Sequence, residues 1–499
     1  MKSIRLYCIA ILALAALCFE SRATAADVDV KETPLGTTHL LIIKSLTPSP
    51  DGRHLAYVKT KGKAMEIVVD GKPMPTDYQG LAENGMLFSP DSKHTAFLAQ
   101  TSGKWIVLAD GNASQPYNTF AKASLAFSPD SSRWLVTADE AGKRLLLVDN
   151  KPGKAYDDIV HPRFSPDSRH TAYAARVGAQ WIPAIDGVEG PACDALIDQA
   201  VQFSPDSSRT AYVARSGEKW QIIANSGPAQ ACEAVAPGTL VFSPDSKHLA
   251  CAVQRNGNWM VLDNAAEGKP YDRIVDGSVA FSPDSKHLCF IGEKAGKMLV
   301  VADGVDGPAC DIIEAPPIYS ADSRHLAYAA HNGKEYSMLL DGKPVGTYDA
   351  IISKPIFSPD GGRLAFVARR GGEAFVVADG KEGESFGEIL DAPLFSPDGK
   401  RLAYAGRRGK EQFAVIDGKA GDASQAVGRM TFGPDAKHLA YASQVGGDLH
   451  IVFDDTPCGD FAGFIHGANL VFDSPTSLNT IVYRGTQLMT IHVVLKSGK

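Results

Sequence analysis

Leu240-Val241-Phe242-Ser243-Pro244-Asp245-Ser246-Lys247-His248-Leu249-Ala250-Cys251-Ala252-Val253 decides the fold, because close variants of it recur along the chain. The aspartates of the recurring Ser-Pro-Asp turn are Asp51, Asp91, Asp130, Asp167, Asp206, Asp245, Asp284, Asp322, Asp360, Asp398 and Asp435, set at a nearly constant interval. Nine of these eleven keep Ser-Pro-Asp intact, and a degenerate twelfth, Phe472-Asp473-Ser474-Pro475, follows one period later. A fixed period of this kind marks a repeat architecture.

Proline fixes φ and removes a donor, so it suits the first corner of a turn, while Asp and Ser bond back to nearby backbone. Beyond the turn, residues 249–253 read as a strand, 255–258 as a turn and 259–262 as a second strand closed by Asp263-Asn264. Residues 271–274 read as a third strand and 278–281, in the next repeat, as a fourth. No window outside the N-terminus keeps a helical period. Four short strands per repeat are the blades of a β-propeller. The expected fold is all-β, with about twelve four-stranded blades. Phe242 and its equivalents Phe88, Phe127, Phe164, Phe203, Phe281, Phe357, Phe395 and Phe432 are expected to be buried between blades.

The repeated phrase resembles the WD40-like repeat of the TolB family and of the propellers that precede the catalytic domain in prolyl-oligopeptidase-type peptidases. The resemblance covers nearly the whole chain and implies a propeller. The peptidases carry a separate α/β-hydrolase domain. Here the repeats run on to Asp473, close to Lys499, and no Gly-x-Ser-x-Gly elbow is present, so no peptidase activity is expected.

Eleven repeats are complete and a twelfth is split between the termini. Residues 480–483 and 489–494 supply strands at one end, and Leu40-Leu41-Ile42-Ile43 supplies the run expected to complete a blade at the other. Twelve blades exceed the roughly four to eight of one usual ring. The expectation is therefore two tandem six-bladed rings, residues 27–265 and 266–499, meeting in the loop 263–270. The alternative is one large ring.

Lys2 and Arg5 precede an apolar run to Phe19, followed by Ser21-Arg22-Ala23-Thr24-Ala25. This reads as a signal peptide, residues 1–26, cleaved near Ala25 or Ala26. The expected location is the periplasm or outside. Loss of Lys2, Arg5, Arg22 and Glu20 takes the formal charge from −7 to about −9, which argues against nucleic-acid binding. No later stretch is long and apolar enough for a membrane helix.

Six cysteines remain: Cys193, Cys232, Cys251, Cys289, Cys310 and Cys458. Cys193, Cys232 and Cys310 stand where other repeats have Tyr117, Tyr156, Tyr271 or Tyr348, so they are expected to be packed thiols rather than disulfides. His54, His94, His170, His248, His287, His325 and His438 share one slot, spread around a ring, which does not suit a metal. The aspartates closing the second strand, such as Asp70, Asp110 and Asp303, precede Gly or Asn and read as turn residues. The aromatics Trp105, Trp181, Trp220, Trp259, Tyr336, Phe375 and Phe413 read as inter-blade packing. No cofactor or metal site is expected.

The expected function is therefore a non-enzymatic propeller that binds a protein or peptide of the cell envelope. The alternative is a lyase- or lactonase-like enzyme with its site in the central channel. The candidate partner-binding residues are Arg369, Arg370, Arg407 and Arg408, two doublets in equivalent turns of adjacent repeats, suited to an acidic partner.

Overall fold

The computed structural model describes residues 28–199, 201–225 and 230–496, all in strands, turns and two short 3-10 segments. The expected signal peptide lies outside the described residues. The strands form twelve separate antiparallel sheets, and these are the blades.

Blade 7 shows the pattern. Its first strand comes in two pieces, Arg273–Ile274 and Ala280–Phe281, both paired to the second strand, Leu288–Lys294. The third strand, Lys297–Ala302, returns alongside, and a two-residue outer strand, Val305–Asp306, ends the sheet. Asp303 (φ 49°) and Gly304 (φ 72°) make the hairpin between these last two. Two successive left-handed residues fit the tight turn whose twist matches the strands.

Two sequence expectations about strands need correction. Residues 271–274 do not form one strand. Tyr271 exchanges both backbone hydrogen bonds with Trp259 of blade 6, whereas the N–H of Asp272 donates to the Glu293 carbonyl of blade 7 (2.9 Å). The chain changes blade between these neighbours. The outer strand of blade 6 is Ala266–Glu267, in a stretch read as loop. So short a pairing is too brief for period-two alternation to show.

Ring closure also differs from expectation. Residues 40–43 stay in blade 1, where Leu41 bridges Lys59 and the Ile42 N–H donates to Val58. The closing strand lies upstream: Val28–Thr37 pairs with Gln487–Leu495 as the outer strand of blade 12, from Val28 opposite Leu495 to Thr37 opposite Gln487. The last blade is thus three C-terminal strands and one N-terminal strand, which leaves no long unpaired edge. Its Lys31, Glu32, Thr33 and Pro34 hid it from a hydrophobicity reading. A bulge between Pro34 and Gly36 puts Gly36 at φ 126°, and the Tyr57 hydroxyl occupies the space a Cβ would take. That hydroxyl donates to the Leu35 carbonyl (3.1 Å), tying the closing strand to blade 1.

The blades form one ring, not two. Across 263–270, the expected boundary, Ala250, Ala252, Val261 and Tyr271 of blade 6 pack on Ile274 and Phe290 of blade 7. The Asp245 N–H donates to Ser285 Oγ (2.9 Å) across the same junction. Blade 12 packs on blade 1 through Ile465, Ile481 and Leu488 against Leu55, Tyr57 and Val68, with an Arg53–Asp473 ion pair beside them.

The core is repeated between blades. The second strand opens with an alanine that is fully buried in nine of them: Ala56, Ala96, Ala172, Ala211, Ala250, Ala327, Ala365, Ala403 and Ala440. A small side chain there lets neighbouring sheets approach, and the next residue, an aromatic in eight of the nine, points to the opposite face and packs on the other neighbour. The phenylalanines before the turn do lie between blades, but seven of the nine are only half-buried; Phe395 and Phe432 are buried. The six cysteines are free and buried. Burial pushes the thiols of Cys193, Cys232 and Cys458 up to about 11.

Leu488 is fully buried under the closing strand. Leu488→Ala should lower stability by about 2–5 kcal/mol, read as a shift in denaturation midpoint. Thiol titration of the native protein should find none of the six cysteines reactive, and all six after denaturation.

Candidate partner-binding surfaces

The Ser-Pro-Asp turns and the Asp-Gly hairpins share one face, since each second strand leads away from it and each third strand returns. There the polar repeat residues are engaged with one another. Ser89 Oγ donates to Asp91 Oδ1 (2.6 Å), which also accepts the Lys93 N–H. These bonds hold the Asp91 carboxyl down to about 2. The serine after each Asp reaches back to the preceding blade: the N–H groups of Asp51, Asp91, Asp130, Asp167, Asp206, Asp245 and Asp284 donate to Ser92, Ser131, Ser168, Ser207, Ser246, Ser285 and Ser323, at 2.9–3.1 Å.

The histidine slot and the hairpin aspartates, separate sets in the sequence, form one contact. Nδ1 of His54, His94, His170, His287 and His325 lies 2.6–2.8 Å from Asp70, Asp110, Asp186, Asp303 and Asp341. The other carboxylate oxygen of each accepts the N–H of the residue after the histidine. Where the slot holds Arg133, Arg363 or Arg401, Nε makes the same ion pair and the guanidinium covers the next blade's Phe at 5.1–5.4 Å. These residues hold the ring together. Among the described residues no group of three or more His, Cys, Asp or Glu is arranged to hold a metal.

The four candidate arginines lie at the opposite edge, at the ends of Leu364–Arg370 and Leu402–Arg408. Arg370 bonds Glu382 (2.6 Å) and the Thr347 carbonyl, and covers Tyr348 at 5.3 Å. Arg408 pairs with Glu384 (2.5 Å) and covers Phe386 at 4.3 Å. Arg484 of blade 12 repeats the motif with Glu32 and Phe461. Arg370 thus fastens an aromatic of blade 8 to its own blade's outer strand, whereas the glutamate and the aromatic that Arg408 of blade 10 engages both belong to blade 9. Arg407 pairs with Glu388, and Arg369 keeps a buried Nε without a partner. Carboxylates are interleaved among these guanidinium groups, which lowers the net positive field of the patch.

The sequence reading passed over the break in the first strand, which in blades 2, 4 and 11 is a bulge within a continuous strand. This short interruption differs in sequence from repeat to repeat. Three successive blades converge on one cavity here, which places the breaks on the axial side. The cavity, about 530 Å³, is bounded by Leu46 and Pro48 of blade 1, Leu81 and Met86 of blade 2, and His466 and Gly467 of blade 12. Val58 and Met65 add apolar wall, with Lys44 at the rim. The breaks of blades 11, 12, 1, 3 and 4 carry Arg429, His466, Lys44, Lys122, His161 and Arg163, while those of blades 5, 7, 8 and 10 carry Asp198, Asp276, Glu314 and Asp391. Glu83 and Lys354 are the exceptions in sequence. The signal was available: these are the positions where aligned repeats disagree.

No known protein family matches the chain, and no curated protein matches it. Solved structures similar to it include a eukaryotic initiation factor, at 13% identity over 66% of this chain and 95% of that one (TM-score 0.36). The Dos1 propeller is 12% identical over 62% of this chain and 94% of that one (0.29). The dihydro-heme d1 dehydrogenase NirN, in complex with DHE, is 16% identical over 74% and 76% (0.28). No helix among the described residues is long and apolar enough to cross a membrane.

The Asp70 bond raises the His54 pKa above 6.5. A raised folded pKa contributes stability that is fully present below the unfolded value and is lost as pH rises through the folded one. In Asp70→Asn the His54 titration, followed by imidazole NMR, should move to lower pH, and the associated loss of stability on raising pH past 6.5 should disappear.

Proposed function

We propose that this chain is an exported, non-catalytic propeller that binds a protein or peptide of the cell envelope, and that it belongs with the TolB-type WD40-like propellers its repeat resembles. The leader-like residues 1–26 support export. The observation that carries the binding reading is the apolar cavity at ring closure. It interrupts the repeat, gathers three blades, and has Lys44 and His466 beside apolar walls. Its volume falls within the range of small recognition pockets, and methionine walls adapt to the side chain they receive. The partner that fits is a segment presenting an apolar side chain flanked by acidic residues, drawn to the cationic arc of the channel rim. The arginine doublets are a second, electrostatic contact in this reading.

The test is capture of partners from envelope extract by the mature protein, with two variants alongside. Leu46→Glu, at a half-exposed position of the cavity, should abolish capture while leaving the melting temperature within a few degrees. Replacing Arg369, Arg370, Arg407 and Arg408 by Ser should weaken capture and flatten its salt dependence. A partner whose binding ignores Leu46→Glu would overturn the cavity assignment. One that ignores both variants would overturn the two surfaces together.

A further inference from the structure

Arg163 breaks the repeat on the axial side of blade 4. Its slot is the second residue before the serine of the turn, and in the other eleven blades that residue is apolar, threonine or glutamine. Ala126, Val241 and Ala280 show what the slot does: each packs on the following blade. Arg163 pairs with Ala172 in the register in which Ala280 pairs with Cys289, so its side chain is directed at blade 5.

Five arginines elsewhere reach the next blade, and each finds an acceptor there. Arg133, Arg209, Arg363, Arg401 and Arg429 donate to the carbonyls of Arg169, Ser246, Lys400, Lys437 and Ala468. Arg163 makes no hydrogen bond or ion pair with a described residue. It is half-buried, and burial, with no carboxylate opposing it, pushes its pKa down. A guanidinium taken partly out of water without a partner costs stability that an apolar side chain at the same slot would not. Its nitrogens nevertheless keep surface open to solvent, so a ligand can reach them.

The surrounding wall leaves room for one. The first-strand interruption of blade 4 is two residues, His161 and Pro162, whereas those of blades 3 and 5 are five, 121–125 and 197–201. The shorter interruption sets the wall back at blade 4. Lys122 and His161 are exposed on it and make no ion pair with a described residue. Of the first-strand carboxylates here, Asp198 accepts the Gly238 N–H of blade 6 (3.0 Å) and Asp158 pairs with Arg144. A guanidinium fork matches a carboxylate in bidentate geometry. Arg163 is the one cation of the three fixed in the wall, and it balances one negative charge, so a carboxylate fits better than a phosphate dianion.

We propose that Arg163 anchors a carboxylate-binding site on the axial wall of blade 4, holding the acidic side chain of a ligand in the channel by a bidentate pair. In taking that ligand to be the acidic partner segment it rests on the function proposed above; the site itself is separate from the cavity at ring closure.

Saturation-transfer NMR on the mature chain tests it with N-acetylglutamate α-methylamide, which carries one side-chain carboxylate. N-acetylglutamine α-methylamide is the neutral comparison and inorganic phosphate, as a competitor, the dianion. The glutamate probe should bind and the glutamine probe should not. Arg163→Lys should weaken binding by about tenfold, the loss of the fork. Arg163→Leu, which restores the residue that blade 2 holds at this slot, Leu87, should abolish it. Without probe, Arg163→Leu should melt at or above the parent temperature. Leu46→Glu should leave probe binding unchanged, which separates failure of this site from failure of the cavity reading. No binding of the glutamate probe, equal binding of the glutamine probe, tighter binding of phosphate, binding indifferent to Arg163→Leu, or a lower melting temperature in Arg163→Leu would each overturn the proposal.

Discussion

A four-stranded sheet of this size has two apolar faces and cannot bury either by itself, so every blade depends on its neighbours. That constraint organises the molecule. The second and third strands alternate small and large residues so that one sheet beds on the next, and the fully buried alanines at the start of the second strand set the approach. The interface alone would allow the sheets to slide. The polar turns fix the register: a serine in a left-handed turn accepts the N–H of the preceding blade's aspartate, seven times in succession. From blade 9 onward that serine becomes Gly361, Gly399 and Ala436. At the last two of these junctions Arg363 and Arg401 reach the next blade's carbonyls instead.

These demands explain why residues that look chemically suggestive are structural. Seven histidines and ten aspartates at fixed slots would suggest metal or acid–base chemistry. In the ring, a histidine such as His54 commits Nδ1 to an aspartate that is also holding a hairpin. The second arginine of each doublet covers an aromatic of the preceding blade and bonds a glutamate, Glu382 of its own blade for Arg370 and Glu384 of the preceding blade for Arg408. What the repeat does not repeat is confined to the first-strand breaks on the axial side and to single departures such as Tyr319 and Ala321.

Twelve blades share one full revolution, so each is turned only slightly from the next. So small a turn leaves room at the axis for the breaks to carry charged and irregular residues rather than filling a narrow core. Cationic residues cluster on the side where the ring closes, and carboxylates on the blades opposite. A partner entering the channel would therefore meet a polarised rim.

The sequence by itself determined the all-β class, the number of blades, the hairpins and the packing role of the cysteines. Each follows from local chemistry repeated at a fixed period: Pro and Asp in one turn, Asp-Gly in the other, apolar runs between. Tertiary structure alone decided the number of rings, the closing strand and the candidate binding surfaces. Ring number depends on a sum of small inter-blade rotations that no single repeat encodes. The closing strand Val28–Thr37 is polar over most of its length and finds its place only because Gln487–Leu495 presents an open edge. The cavity at ring closure exists because Leu46, Met86 and His466, far apart in the chain, belong to blades that meet only when the ring is closed.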